Sequence, residues 1–265
     1  MDADKMQGWL ERCLEIAREA GEKIRQVAAE GVEATDKADG TPLTRADTAS
    51  HETIDAGLTA MDTGLPILSE EGDLENIGGA GWSAFWCVDP LDGTKEFVKG
   101  LDEYTVNIAL IRDATPVMGV VYVPAQDVMY YGGEGLGAFK QAGSEPAVSI
   151  QANPVEKPAG AVASRSHLSD ETKQFLEQLG VKDVVSHGSS IKIVAIAEGT
   201  ADIYPRHGPT CLWDTAAGAA VARAAGCRVT DLAGEDLSYD PNDGIKRPGF
   251  LVYPTQMDAT VQAVL

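Results

Sequence analysis

Positive charge is scarce in this chain. Of its 265 residues, 21 are Lys or Arg against 41 Asp or Glu, a formal net charge of −20 at pH 7. Phosphate backbones and anionic lipid surfaces attract Lys and Arg, so a general affinity for nucleic acid or anionic membrane is excluded. The acidity itself is accounted for by solubility. Cysteine is scarce too. The four are Cys13, Cys87, Cys211 and Cys227, with no Cys-x-x-Cys pair and no His at zinc spacing. Neither a disulfide framework nor a structural zinc site is expected, and a reducing compartment fits. Three of the four fall inside expected regular elements and read as small core residues. Long apolar runs are missing, so no segment reaches membrane-spanning length. Met1 to Glu30 is charged and amphipathic, without the apolar stretch of a signal peptide.

What is present is an ordinary globular composition, 44% apolar, in a chain long enough for one large or two modest domains with a real core. Met6, Trp9, Leu10, Cys13, Leu14, Ala17, Ile24 and Val27 recur at helical spacing, which predicts a helix over Asp4 to Ala29 stopped by Gly31. Thr35 to Arg45 reads as a polar loop with a turn at Asp39-Gly40. A second helix is expected from Ala46, with Asp47 in its first turn. Taken singly, Asp47 is a charge stabilised by the helix dipole.

Short apolar runs then follow: Leu65 to Leu68, Phe85 to Val88, Val106 to Arg112, Val117 to Val123, Val128 to Gly132 and Gly137 to Lys140. The last four, separated by turn signals, suggest an antiparallel meander. The second half alternates. Helices are expected from Ser169 to Leu179, from Ser189 to Ala197, from Thr215 to Ala225 with Asp214 as cap, and from Thr255 to Val264. Strands are expected at Val184-Val185, Ile203-Tyr204, Arg228 to Thr230 and Phe250 to Val252. The expected fold is therefore mixed, an α+β first half and an α/β second half. Pro146, Asn153, Pro154 and Pro158 place the boundary near 145–160, dividing the chain into 1–150 and 151–265.

The chemistry gathers where apolar runs end. Trp86-Cys87-Val88 leads into Asp89-Pro90-Leu91-Asp92-Gly93-Thr94. Pro90 cannot continue a ladder and Gly93 permits a sharp turn, so the strand is expected to stop at Val88 and present two carboxylates in a tight loop. Carboxylates held this close repel unless a cation lies between them. Hard divalent ions such as Mg²⁺ suit oxygen ligands of this kind. Asp, Pro and Gly are also ordinary turn residues, so this motif alone leaves a plain turn open.

Three motifs occur together: Ser69-Glu70-Glu71, Asp89-Pro90-Leu91-Asp92-Gly93-Thr94 and Trp213-Asp214-x-Ala216-Ala217-Gly218. In this order and spacing they resemble the inositol monophosphatase superfamily of Mg²⁺-dependent, lithium-sensitive phosphatases, over nearly the whole chain. Lys95-Glu96-Phe97, Tyr104 to Leu110, Gly188-Ser189-Ser190-Ile191-Lys192 and Ala197 to Arg206 are similar to its 3′(2′),5′-bisphosphate nucleotidase branch, the CysQ type. That branch removes the 3′-phosphate of adenosine 3′,5′-bisphosphate, a by-product of sulfate assimilation.

The resemblance implies a layered α-β-α-β-α sandwich and two or three Mg²⁺ ions. Glu70, Asp89, Asp92, Asp214 and the Leu91 carbonyl would hold metal, and Thr94 and Asp47 would activate water. Gly93, Thr94, Ser189, Lys192, Asp214, Ser164 and His167 would meet substrate, Lys192 as the cation for a 5′-phosphate. Arg165 and Arg206 read as phosphate partners or as surface ion pairs, His187 and His207 as local hydrogen-bonding residues. The resemblance further implies a small-molecule nucleotide substrate, a monomer or homodimer, and a cytoplasmic enzyme, at most peripheral at the inner membrane. Rival readings are another sugar or inositol phosphatase with the same metals, and a non-enzymatic metal-binding regulator.

Overall fold

The computed structural model describes residues 3–36, 42–74, 81–165 and 169–265. Helix α1 (Ala3–Glu30) is followed by a hairpin of β1 (Ala34–Asp36) and β2 (Pro42–Thr44), then α2 (Arg45–Ala60). The hairpin replaces the expected polar loop; its expected turn at Asp39-Gly40 lies outside the described residues. Strands β3 (Ile67–Ser69) and β4 (Ala84–Asp92) run parallel, and α3 (Thr94–Val98) follows β4 at once. Then β5 (Thr105–Arg112), β6 (Thr115–Val123), β7 (Val128–Gly133), β8 (Gly137–Ala142) and β9 (Val148–Ser149) complete a seven-stranded sheet in sequential order. The meander is antiparallel throughout.

The second half contains β10 (Gly160–Ser164), α4 (Asp170–Gln178), β11 (Asp183–His187), α5 (Ile191–Ala197), β12 (Tyr204–Arg206) and β13 (Thr210–Cys211). Next come α6 (Leu212–Ala224), β14 (Cys227–Thr230), β15 (Lys246–Arg247), β16 (Phe250–Pro254) and α7 (Asp258–Gln262). The last expected helix is thus split, with a 3₁₀ turn over Thr255–Met257 ahead of α7. Strands β12, β16 and β14 pair antiparallel, β10 and β11 pair parallel, and an Ala161–Ile203 bridge joins the two sets.

The layering follows from strands that are apolar on both faces. In β4, Trp86 and Val88 pack with Leu10, Ile16, Ile54 and Leu58 of α1 and α2. The alternate residues Phe85 and Cys87 pack with Ile193, Trp213 and Ala217 of α5 and α6. That cluster continues into Val229, Phe250 and Val252 of the second sheet. On that sheet's far side Leu251 and Tyr253 meet Phe175, Met257 and Val261. Helices, sheet, helices, sheet, helices: the α-β-α-β-α sandwich is observed. Its central core draws on residues from both sides of 145–160. Cys13, Cys87 and Cys227 are buried core residues as expected; Cys211 is half-buried.

Candidate active site

Helix α2 aims one face at the ends of β3 and β4. Residues 47, 50 and 51 lie one turn apart, so they share that face. The Ser50 hydroxyl donates to the Pro90 carbonyl at 2.7 Å, and His51 Nδ1 lies 3.0 Å from Ser69 Oγ. Asp47, 1% exposed, closes a capping box: its Oδ2 accepts the Thr44 N–H at 2.7 Å and the Thr44 hydroxyl at 2.6 Å. Its Oδ1 lies 3.0 Å from the Thr94 hydroxyl. Asp47 is therefore both a helix-terminal charge and the partner of Thr94. The Thr94 hydroxyl also lies 3.1 Å from the Leu91 carbonyl. It carries one proton, so only one of these acceptors receives it at a time.

The strand carrying the carboxylates does not stop at Val88. Strand β4 pairs Asp89 with Asn107, loses register, and pairs again at Asp92 with Thr105. Pro90 and Leu91 form the bulge between, where the missing Pro N–H costs no ladder bond. The expected loop is thus an extended, bulged strand end, more rigid than a free turn. Parallel pairing of Ser69 with Val88, and a Glu70 N–H bond to the Val88 carbonyl at 3.1 Å, bring Glu70 alongside Asp89.

From the second half, Asp214 enters at the start of α6. It is not the cap, as expected, but the third helical residue, in a box with Cys211. Asp214 Oδ2 accepts the Thr210 hydroxyl at 2.7 Å and the Cys211 N–H at 2.9 Å. Asp89 and Asp92 are tied in the same way by one oxygen each. Asp89 Oδ1 accepts the Leu91 N–H at 3.1 Å, and Asp92 Oδ2 lies 2.9 Å from the Ser190 hydroxyl. Ser190 Oγ also receives the Asn107 amide at 2.9 Å and lies 2.7 Å from the Asp214 carbonyl. One buried hydroxyl thus links the end of β4 to α6.

Electrostatically the carboxylates of the site raise one another. Burial raises the Asp89 carboxyl well above its ordinary value, and Glu70, Asp92 and Asp214 add to it. Burial, then Asp214, raises Asp92 to about 6 against the opposing Lys192 charge. Two buried atoms cross-strand from these carboxylates, Asn107 Oδ1 and Thr105 Oγ1, have no protein partner. Among the described residues no three His, Cys, Asp or Glu side chains converge closely enough to hold an ion as they stand. The donors instead line an open cleft of about 590 Å³. Carboxylates this close, Asp89 buried and Glu70, Asp92 and Asp214 half-buried, repel one another, and their oxygens fit a hard divalent ion, which would remove the repulsion.

A stability prediction follows. A carboxyl whose folded pKa lies above its unfolded value binds its proton more tightly when folded, so its contribution to stability falls as pH rises through the folded value. A divalent ion held here would compete with the proton for the same oxygens. Saturating Mg²⁺ should therefore raise the melting temperature by roughly 5–10 °C at pH 7.5 and by much less at pH 5, where Asp92, at about 6, holds its proton. Melting curves with Mg²⁺ and with chelator at both pH values check this; equal shifts would contradict it.

The same cleft is lined by Leu91, Gly93, Thr94, Ser164, Ser189 and Lys192. Asp47 stands behind Thr94, and His167 lies outside the described residues. Ser189 does not open a helix: its φ is 45°, and α5 starts at Ile191. Lys192 is 4% exposed, donates to the Ser189 carbonyl at 2.6 Å and lies over the Tyr204 ring. Burial lowers its pKa to about 8, against the pull of Asp92. Arg206 faces the cleft, Arg165 pairs with Glu103, and His207 bonds Thr172. Sequence reasoning missed Ser190, Asn107, Thr210 and Glu103 as site-organising residues. Ser190 and Asn107 stood inside quoted motifs, but their bonds are non-local and no spacing rule exposes them.

The sequence profile of the inositol monophosphatase family matches residues 6–262. The chain is 45% identical over 245 residues to the 3′(2′),5′-bisphosphate nucleotidase CysQ of Salmonella typhimurium, covering 92% of this chain and 98% of the relative. It is 44% identical to that of Escherichia coli K12 with the same coverage. Among solved structures it is similar to CysQ of Bacteroides thetaiotaomicron, described as a bacterial member of the inositol monophosphatase family, with 42% identity, a TM-score of 0.81 and 94% and 97% of the two chains covered. A Thermotoga maritima inositol monophosphatase at 23% identity and a TM-score of 0.78 shares the fold. On a match that spans the chain and a cleft that collects its three motifs, this protein belongs to the inositol monophosphatase family.

Proposed function

We propose that this chain is a Mg²⁺-dependent 3′(2′),5′-bisphosphate nucleotidase. It would hydrolyse the 3′-phosphate of adenosine 3′,5′-bisphosphate to give AMP and inorganic phosphate. The supporting observation is the Thr94–Asp47 contact beside Glu70, Asp89, Asp92 and Asp214 in a chain 45% identical to a nucleotidase of that name. Glu70, Asp89, Asp92, Asp214 and the Leu91 carbonyl would hold two or three ions. Most of these ligands come from 1–150, and Asp214 with the substrate contacts comes from 151–265. In this reading the enzyme acts on a free nucleotide in the cytoplasm. Among the described residues no helix is long and apolar enough to cross a membrane.

When bound, the ions supply counter-charge to the phosphoryl oxygens and lower the pKa of the attacking water. The chain's own residues do the rest. The Thr94 hydroxyl gives its proton toward Asp47 Oδ1 and its lone pairs to the water. As the water oxygen bonds to phosphorus, its proton passes to Thr94 and the Thr94 proton to Asp47. The bond from phosphorus to the ribose 3′-oxygen breaks, and that oxygen takes a proton from solvent. Asp47 is suited to the task because its other oxygen is fixed by Thr44, which holds the accepting oxygen on Thr94. Gly93, Ser164 and Ser189 would shape the cleft wall, and Lys192 would face the 5′-phosphate.

The first test is phosphate release from adenosine 3′,5′-bisphosphate against inositol 1-phosphate. Preference for inositol 1-phosphate would overturn the proposal. The second uses Lys192. A charge-assisted contact contributes about 1.5–3 kcal/mol, so Lys192→Ala should cost roughly ten- to a hundredfold in kcat/KM on the bisphosphate. It should cost little on 3′-AMP, which lacks the remote phosphate. Equal losses on both would mean that Lys192 acts through Asp92, whose charge it feels.

A further inference from the structure

Strand β11 is the least supported part of the cleft wall. Asp183 to Ser186 are exposed, and β10 is the strand that holds it. The two run parallel in register, with Ser164 opposite His187. Their ends therefore finish at the same level, and both lead into the cleft: Ser164 directly, and β11 through Gly188 and Ser189. Ser189 is a non-glycine residue at φ 45°, a conformation the surroundings must enforce. Its hydroxyl oxygen is buried without a protein partner.

We infer that Glu103 is the positioning residue of this wall, a latch from the first half that clamps the ends of β10 and β11 and so fixes the Ser189 turn. The inference rests on the nucleotidase reading only for the substrate that the wall would meet. Glu103 lies between α3 and β5, with its side chain 18% exposed. Its Oε2 accepts the Gly188 N–H at 2.8 Å. Its Oε1 accepts Arg165 Nη2 at 2.9 Å and lies 3.2 Å from His187 Nδ1. These donors come from both strand ends, so one carboxylate ties the two ends together, beside the Ser164–His187 pairing and the Arg165 Nη2 contact to the Ser186 carbonyl at 3.4 Å. Burial pushes the Glu103 carboxyl up, but the Gly188 N–H, His187 and Arg165 outweigh it and keep it below its ordinary value.

The Glu103 backbone completes the junction. Its carbonyl oxygen would stand 2.8 Å from a Cβ on Gly93 and 2.9 Å from one on Gly188. Both distances are too short for any side chain. The carbonyl is therefore wedged between the glycine that follows Asp92 and the glycine that precedes Ser189. Truncating the side chain leaves that wedge in place and removes only the latch.

The test combines exchange, kinetics and metal binding on Glu103→Ala and Glu103→Gln in the full chain. In Glu103→Ala the Gly188 amide should exchange at least about tenfold faster, having lost its acceptor. KM for adenosine 3′,5′-bisphosphate should rise about tenfold with kcat nearly unchanged. The Mg²⁺-induced melting shift should match wild type, because no carboxylate at the metal end is touched. Glu103→Gln, which keeps an acceptor for Gly188 but loses the charge facing Arg165, should fall between the two. Unchanged exchange at Gly188 would overturn the latch. Faster exchange with unchanged KM would overturn its role in the wall. A parallel loss of kcat and Mg²⁺ response would mean a general structural role and overturn the positioning claim. Failure of the wild type to hydrolyse the bisphosphate would count against the proposed function alone, since the exchange result stands without it.

Discussion

Asp92→Asn should lower turnover at least about a thousandfold, yet melt at a higher temperature than wild type when both are free of divalent ions. The two effects have one cause. Asp92 is raised to about 6 by burial and by Asp214, and its charge in turn helps to raise Asp89. Neutralising it removes a partly buried like-charge repulsion from the metal-free fold. Its amide oxygen can still accept the Ser190 hydroxyl, so the link to α6 survives. With Mg²⁺ the order of stabilities should reverse, because a variant lacking one proposed ligand would bind the ion weakly. Glu70→Gln should behave alike, since its charge also acts on Asp89. Near-wild-type activity at limiting Mg²⁺ would remove the residue concerned from the ligand set. A variant less stable than wild type under chelator would contradict the electrostatic account.

Thr94→Ala and Asp47→Asn should each lower kcat by about a hundred- to ten-thousandfold, the range of positioned acid–base groups, with little change in Mg²⁺ affinity. An amide at position 47 can keep its oxygen on Thr44 only by turning its NH₂ toward Thr94, where an acceptor is needed. That variant keeps the cap of α2 and loses the proton acceptor. Residues that act as one unit lose their function together. The double variant should therefore be about as slow as the slower single one. Multiplicative losses would separate Thr94 from Asp47. Melting curves control for the cap, whose loss would cost about 1 kcal/mol.

The sequence made the layers legible because the central strands are apolar on both faces. Phe85 to Val88 and Val106 to Arg112 read as strands whichever side is counted, and α1 shows its stripe plainly. Element ends were less legible. Pro90 argued for a stop after Val88, but a bulge lets the strand continue to Asp92, and local propensity does not register that pairing with Thr105. Asp214 was misplaced for a related reason. Asp commonly caps helices, and here Cys211 takes that place while Asp214 closes the box from inside. The carboxylates were legible as motifs. Their supports were not, because Ser190, Asn107 and Glu103 act across as many as 98 residues of chain.

The single-oxygen ties on Asp89, Asp92 and Asp214 bear on which cation the cleft prefers. In each, one carboxylate oxygen is held by the protein itself, by Leu91, Ser190, or Thr210 with Cys211. As a metal ligand, such a carboxylate would offer one oxygen and would resist turning to chelate with both. Ca²⁺ takes six to eight oxygens and readily uses bidentate carboxylates, whereas Mg²⁺ keeps six in a tight octahedron and retains its waters. One-oxygen ligands from the protein would suit the smaller ion, which needs fewer of them. Discrimination by ionic radius would thus be set by the hydrogen bonds behind the carboxylates, and at Asp214 by two at once, since the Thr210 hydroxyl and the Cys211 N–H share one oxygen.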